Sequence, residues 1–112
     1  MRNMFWRLAA VEIVIGLATL TLPSAVRGQG ESAKVFKTNC VLCHAANGSG
    51  DSPAGKAMSA KDLRSDEVQK QSDADLATTI TKGRGKMPAF GQKLAPDVIT
   101  SLVAYIRQLP KK

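Results

Sequence analysis

The run Cys40-Val41-Leu42-Cys43-His44 limits this chain more than any other feature, because it holds both cysteines and the only histidine of the sequence. On a helix, residues three apart share a face. The two thiols therefore stand one turn apart, with the imidazole immediately beyond them. A Cys-x-x-Cys-His run is an attachment sequence for a c-type haem. Each thiol adds to one vinyl group of the same haem to make a thioether, and His44 then lies under the iron. Other chemistries use similar residues. A redox dithiol calls for a strand–helix–strand setting, and none precedes Cys40. A closed zinc site needs four ligands, and no further Cys or His exists to complete one. An export signal, a helical pattern and an adjacent histidine weigh against an incidental disulfide, and two cysteines are too few for a disulfide scaffold.

A chain of 112 residues holds one domain, which excludes multidomain enzymes, solenoids and polytopic membrane proteins. Much of its 44% apolar content belongs to the first thirty positions. Arg2 and Arg7 give that stretch a positive start, an apolar run from Ile13 to Leu22 follows, and Pro23 leads into small residues. This order is that of a secretory signal. Cleavage is expected after Gly28, with Val26 and Gly28 at the two positions a signal peptidase reads, which leaves 29–112 as the folded domain. An uncleaved anchor is the rival reading of Leu8 to Val26. Glu12 and Pro23 count against it. Either reading puts the domain outside the cytoplasm, in the periplasm.

Three helical patterns are expected in 29–112. The first runs from about Ser32 to Cys43, with Ala33, Phe36, Cys40 and Cys43 at spacings of three and four. The second begins near Ser72, where Ser72 and Asp75 resemble a capping box. It buries Leu76 and Ile80 and ends at Gly83. The third spans about Pro96 to Leu109 and lines up Val98, Leu102, Tyr105, Ile106 and Leu109, between a proline suited to the first turn and Pro110 beyond the last. Ala46 to Gly55 and Gly83 to Gly91 read as loops. A short helical turn is expected at Ser59–Leu63 or Ser65–Gln69. The fold class is all-α. With Phe36, Phe90 and Tyr105 as its only aromatics, such a domain has a thin core, and a large apolar cofactor would fill it.

These residues together resemble a class I c-type cytochrome, in the style of the small bacterial and cytochrome c6-like members. The likeness covers nearly all of Glu31–Leu109. It rests on Phe36 ahead of the first cysteine, the Cys-x-x-Cys-His run, Met87-Pro88-Ala89-Phe90 in a Gly-rich loop, and Tyr105 on the last helix. It implies the cytochrome c fold around one haem c, bound through Cys40 and Cys43, with His44 and Met87 as axial ligands of the iron. Pro88 disfavours α conformation at Met87, so its thioether projects from extended chain. Met58, the competing methionine, reads as packing near the haem. The family fixes the ligating imidazole with a proline carbonyl, for which Pro53 is the candidate, and Phe90 is expected beside the haem. Phe36 and Tyr105 are expected to meet where the first and last helices cross. Ser32 stands where the family often has glycine, so a slightly wider crossing is expected.

Six-coordinate iron leaves no place for oxygen or peroxide, so the expected function is that of an electron carrier and not an enzyme. The alternative is a haem enzyme or gas sensor in which Met87 swings away. The formal charge of +7, from 16 Lys and Arg against 9 Asp and Glu, is too mild and scattered to imply nucleic acid. Lys82, Arg84, Lys86 and Lys93, with Lys56 as a neighbour, form a cationic cluster with no intervening acid from Lys82 to Lys93. Such a patch suits redox partners with acidic docking faces, a membrane reductase and a terminal oxidase. A monomer is expected, touching the membrane only in passing or through an uncleaved N-terminus.

Overall fold

The computed structural model describes residues 24–112, with side chains from residue 28 onward. The expected leader lies outside the described residues apart from its last few positions. Six helices follow one another among the described residues: α1 (Ser24–Asn39), α2 (Val41–His44), α3 (Pro53–Met58), α4 (Asp66–Gln69), α5 (Asp73–Lys82) and α6 (Pro96–Arg107). The β pairing among them is one antiparallel bridge between Arg84 and Met87. The all-α expectation is met. No helix among the described residues is long and apolar enough to cross a membrane.

α1 starts before Ser32 and stops before Cys43. Its helical hydrogen bonding reaches Cys40, whose N–H donates to the Phe36 carbonyl at 2.8 Å. Cys40 then turns (φ −118°, ψ −32°) and α2 begins as a separate short helix. Ser32 is buried, and its hydroxyl donates back along α1 to the Gly28 carbonyl at 2.8 Å. The hydroxyl is thereby satisfied inside its own helix, so burying it costs little.

The first and last helices pack together. Phe36 and Leu102 are each only 1% exposed, and the Phe36 and Tyr105 rings lie 5.1 Å apart at 45°, as expected. Burying side chains of this size stabilises the fold by about 1.5–3 kcal/mol each. The buried face of α6 is Ile99, Leu102, Val103 and Ile106, whereas Val98, Tyr105 and Leu109 of the expected stripe are only half-buried. α6 packs on α5 as well as α1, so its covered face is rotated from the one a single neighbour would need.

α5 follows its sequence signals closely. The Ser72 hydroxyl accepts from Asp75 N–H at 3.0 Å, Leu76 and Ile80 are buried, and Gly83 closes the helix. Of the two places considered for a helical turn, the chain uses the second: α4 is capped by Ser65, while Ser59–Leu63 is irregular. α3 corrects the expectation of loop through Gly55. Ser52 caps it, with its hydroxyl accepting from Gly55 N–H at 3.0 Å, and Pro53 occupies its first turn. Those are strong helix-start signals, here embedded in residues of loop-like composition.

Arg107 fastens the end of α6 to the α4–α5 connection. Its guanidinium donates to the Gln69 carbonyl at 2.8 Å, to the Gln71 carbonyl at 2.5 Å and to Asp73 Oδ1 at 2.9 Å. The apolar cluster of Phe36, Leu63, Val68, Leu76, Ile80 and the α6 face is closed on this side. On the other it borders a hollow.

Candidate functional site

That hollow is a cavity of about 640 Å³, walled by apolar core residues such as Val68, Leu76, Ile80 and Leu102, and by Cys40, Cys43, His44, Met87 and Phe90. Segments distant in sequence thus converge on one space large enough for a flat macrocycle. Its rim carries Leu42, 76% exposed, and Met58, 49% exposed.

The backbone of α2 sets the attachment motif. His44 N–H donates to the Cys40 carbonyl at 2.9 Å and Ala45 N–H to the Val41 carbonyl at 2.9 Å, which holds the two thiols and the imidazole on one short turn. Ala45 ends it at φ 62°, a left-handed value that non-glycine residues seldom adopt. The next helix locks this turn from outside. The Ser52 hydroxyl reaches the Leu42 carbonyl at 2.6 Å and the Cys43 carbonyl at 3.1 Å. Gly55 is buried so closely against the Cys43 and Gly50 carbonyls that no Cβ fits there. Neither residue was anticipated, although Ser52-Pro53 is itself a helix-start signal.

The two cysteines are free and half-buried. Burial, helped by the neighbouring Cys43, pushes the Cys40 thiol up to about 11. A redox dithiol needs the opposite shift, toward thiolate. Among the described residues no group of three or more His, Cys, Asp and Glu side chains is arranged to hold a metal ion directly.

His44 is oriented by a partner other than the expected one. Its Nδ1 lies 2.9 Å from the Lys61 carbonyl. A carbonyl oxygen only accepts, so Nδ1 carries the proton and Nε2 keeps its lone pair for a metal. Pro53 is therefore not the acceptor. It opens α3, where a residue's carbonyl runs along the helix axis, and it is not among the residues lining the cavity. The side chain of Lys61 is paired with Glu67 at 2.8 Å, and this hydrogen bond holds the Glu67 carboxyl below its ordinary range.

Met87 lies in the tight loop after α5. Its N–H donates to the Arg84 carbonyl at 2.9 Å, and its carbonyl accepts from Arg84 N–H at 3.1 Å. Gly83 and Gly85 take φ 73° and 55° around this bridge. Phe90, farther along, is half-buried against the core and pinned by its N–H to the Ile80 carbonyl at 2.9 Å. Asn39 Oδ1 is buried without a hydrogen-bond partner among the described residues, on a side chain that also lines the cavity. The donor set fits a c-type haem: two thiols on one turn, one imidazole with a free Nε2, one thioether, and an apolar slot.

Comparison with known proteins agrees. A family model described as cytochrome c oxidase, cbb3-type, subunit III matches residues 29–106. Cytochrome c6 of Gloeothece citriformis (strain PCC 7424) is 34% identical over 95 residues, which is 80% of this chain and 79% of that protein. The cbb3-type cytochrome c oxidase subunit FixP of Azorhizobium caulinodans is 36% identical over 101 residues, 88% of this chain but only 32% of FixP. Among solved structures, the KustC0563 c-type cytochrome superposes with a TM-score of 0.66 at 29% identity, covering 72% of this chain and 98% of that one.

Proposed function

We propose, from the premise that this chain belongs to the class I c-type cytochromes, that it shuttles single electrons in the periplasm through one haem c ligated by His44 and Met87. The observation that carries this reading is the convergence of Cys40, Cys43, His44 and Met87 on a single cavity. When bound, the group supplies a one-electron Fe(III)/Fe(II) couple. Cys40 and Cys43 hold it through thioethers, which keeps an exported protein from losing it by dilution. The Nδ1–H tautomer of His44 presents Nε2, and the hydrogen bond to Lys61 raises its basicity. Met87 contributes a thioether, which favours the reduced state, and the apolar walls disfavour the extra charge of the oxidised one. Both raise the potential. With His44 and Met87 both holding the group, the site would exchange electrons and would not bind oxygen.

Lys82, Arg84, Lys86 and Lys93 are exposed, and Lys86, which lines the same cavity as Leu42 and Met58, reaches the Ala57 carbonyl through Nζ at 3.4 Å. Arg84 and Lys86 at the cavity edge, with Lys82 and Lys93 near them in sequence, suit a weak, fast encounter with the acidic face of a reductase or a terminal oxidase. Neutralising Lys86 and Lys93 lowers the association rate and flattens its dependence on salt. An unchanged salt slope would remove the patch from the proposal.

Met87→Ala tests the ligand set. The expected variant loses the iron–thioether absorption band, has a lower potential and binds added imidazole. A wild-type band and potential in that variant would refute the role of Met87. Carbon monoxide binding by the wild-type protein at neutral pH would favour the enzyme or sensor reading instead.

A further inference from the structure

We infer that Gln69 and Arg107 are positioning residues for the His44 imidazole, so that the end of α6 tunes the haem iron from outside the cavity lining. The inference rests on ligation by His44 and extends it outward along one hydrogen-bonded path. His44 Nδ1 donates to the carbonyl of Lys61, a residue in an irregular segment with no helix of its own to hold it. Something else must fix that oxygen. Two residues on, Leu63 N–H donates to the Gly48 carbonyl at 2.8 Å, and the Leu63 carbonyl accepts from Gln69 Nε2 at 2.6 Å. Between them Asp62 is forked by Arg64, at 3.0 Å to Nε and 3.1 Å to Nη2, and Ser65 N–H closes the turn on the Asp62 carbonyl at 3.1 Å.

The Gln69 amide is the link between this turn and the body of the domain. Its Oε1 accepts from Arg107 at 3.3 Å, its own main-chain carbonyl accepts from the same guanidinium nitrogen at 2.8 Å, and its Nε2 also lies 3.4 Å from the Ile106 carbonyl. Arg107 thereby dictates which end of the amide faces Leu63. The exposed Lys61–Glu67 pair, with side chains 64% and 68% exposed, is a weaker support, because solvent screens it. The partly buried amide is the tether that sets how closely the Lys61 carbonyl approaches Nδ1.

Loosening the tether weakens the Nδ1–H bond, makes the imidazole a poorer electron donor and so raises the potential. The test uses full-length holoprotein carrying Gln69→Leu and, separately, Arg107→Lys, which keeps the charge but loses the fork. Three quantities are read: the midpoint potential, the solvent exchange of the hyperfine-shifted His44 ring N–H by proton NMR, and the melting temperature. Ile99→Val serves as a control, a core change away from the cavity lining. Both tether variants are expected to raise the potential and to speed ring N–H exchange by about tenfold, the equivalent of one hydrogen bond, with the iron–thioether band intact. The control lowers the melting temperature and moves neither of the other readouts. Tether variants that lose melting temperature but keep wild-type potential and exchange would overturn the inference. Absence of any hyperfine-shifted histidine ring signal in the wild-type protein would instead show that His44 is not a ligand. Should Gln69→Leu fail to fold, Arg107→Lys alone decides.

Discussion

Replacing Gly83 by alanine strikes the Met87 loop without touching a proposed ligand. Gly83 closes α5 at φ 73° and ψ 172°, a region essentially reserved for glycine, where strain costs about 1–3 kcal/mol. A Cβ at that position would lie 2.6 Å from the Met87 carbonyl oxygen, 2.8 Å from Ala89 N and 2.9 Å from Pro88 C. All three are main-chain atoms, so no side-chain rotation relieves them. The loop must move. The Met87 carbonyl it displaces is the one that accepts from Arg84 N–H, and losing that bond adds about 1 kcal/mol. The expected destabilisation is about 2–4 kcal/mol, which in a domain of this size lowers Tm by more than roughly 10 °C. Urea unfolding followed by circular dichroism measures the first quantity, and, on the proposed ligation by Met87, the strength of the iron–thioether band reports whether the loop still delivers that side chain. A variant with wild-type stability and an undiminished band would show that the glycine does not shape the loop.

Two further changes probe the frame around the site. Ser52→Ala removes the cap of α3 and its reach to the Leu42 and Cys43 carbonyls. A loss of about 1 kcal/mol is expected in urea unfolding, with the haem still attached. Asp62 is held below the ordinary carboxylate range, chiefly by its hydrogen bond from Arg64. A carboxyl whose pKa is lower in the folded state lends stability above its unfolded pKa and loses it as pH falls through the folded one. Below about pH 4 the wild-type protein should therefore lose stability more steeply than Asp62→Asn, and parallel acid limbs would contradict this.

Where a side chain announces its own role, the sequence was a good guide. Ser72 and Gly83 delimit α5, Pro96 opens α6, and Phe36 meets Tyr105 because each is a bulky aromatic on an apolar helix face. Cys40, Cys43, His44 and Met87 are distinctive in type and flanks, and the chain gathers them around one cavity. The misses share a cause. The His44 acceptor is a main-chain oxygen, and every residue has one, so Lys61 carries no mark of the task, whereas Pro53 stands out by its residue type. Ser52 and Gly55 were hidden by loop-like composition, although a serine followed by proline is how many helices start. Ile99 and Val103 fall outside the single apolar stripe because the burial of α6 depends on two neighbours, and periodicity alone does not say how many faces are covered.

The docking of Phe36 against Tyr105 joins an early helix to the last one, so the contact that closes the domain spans most of its sequence. Chain closure over such a separation is slow, and synthesis makes the N-terminal part first. Until Tyr105 emerges, the Phe36 face of α1 has no permanent partner and remains open to chaperones, proteases and other chains. The attachment turn lies directly after that face, so Cys40 and Cys43 sit beside a surface whose partner, α6, is the last helix to be made.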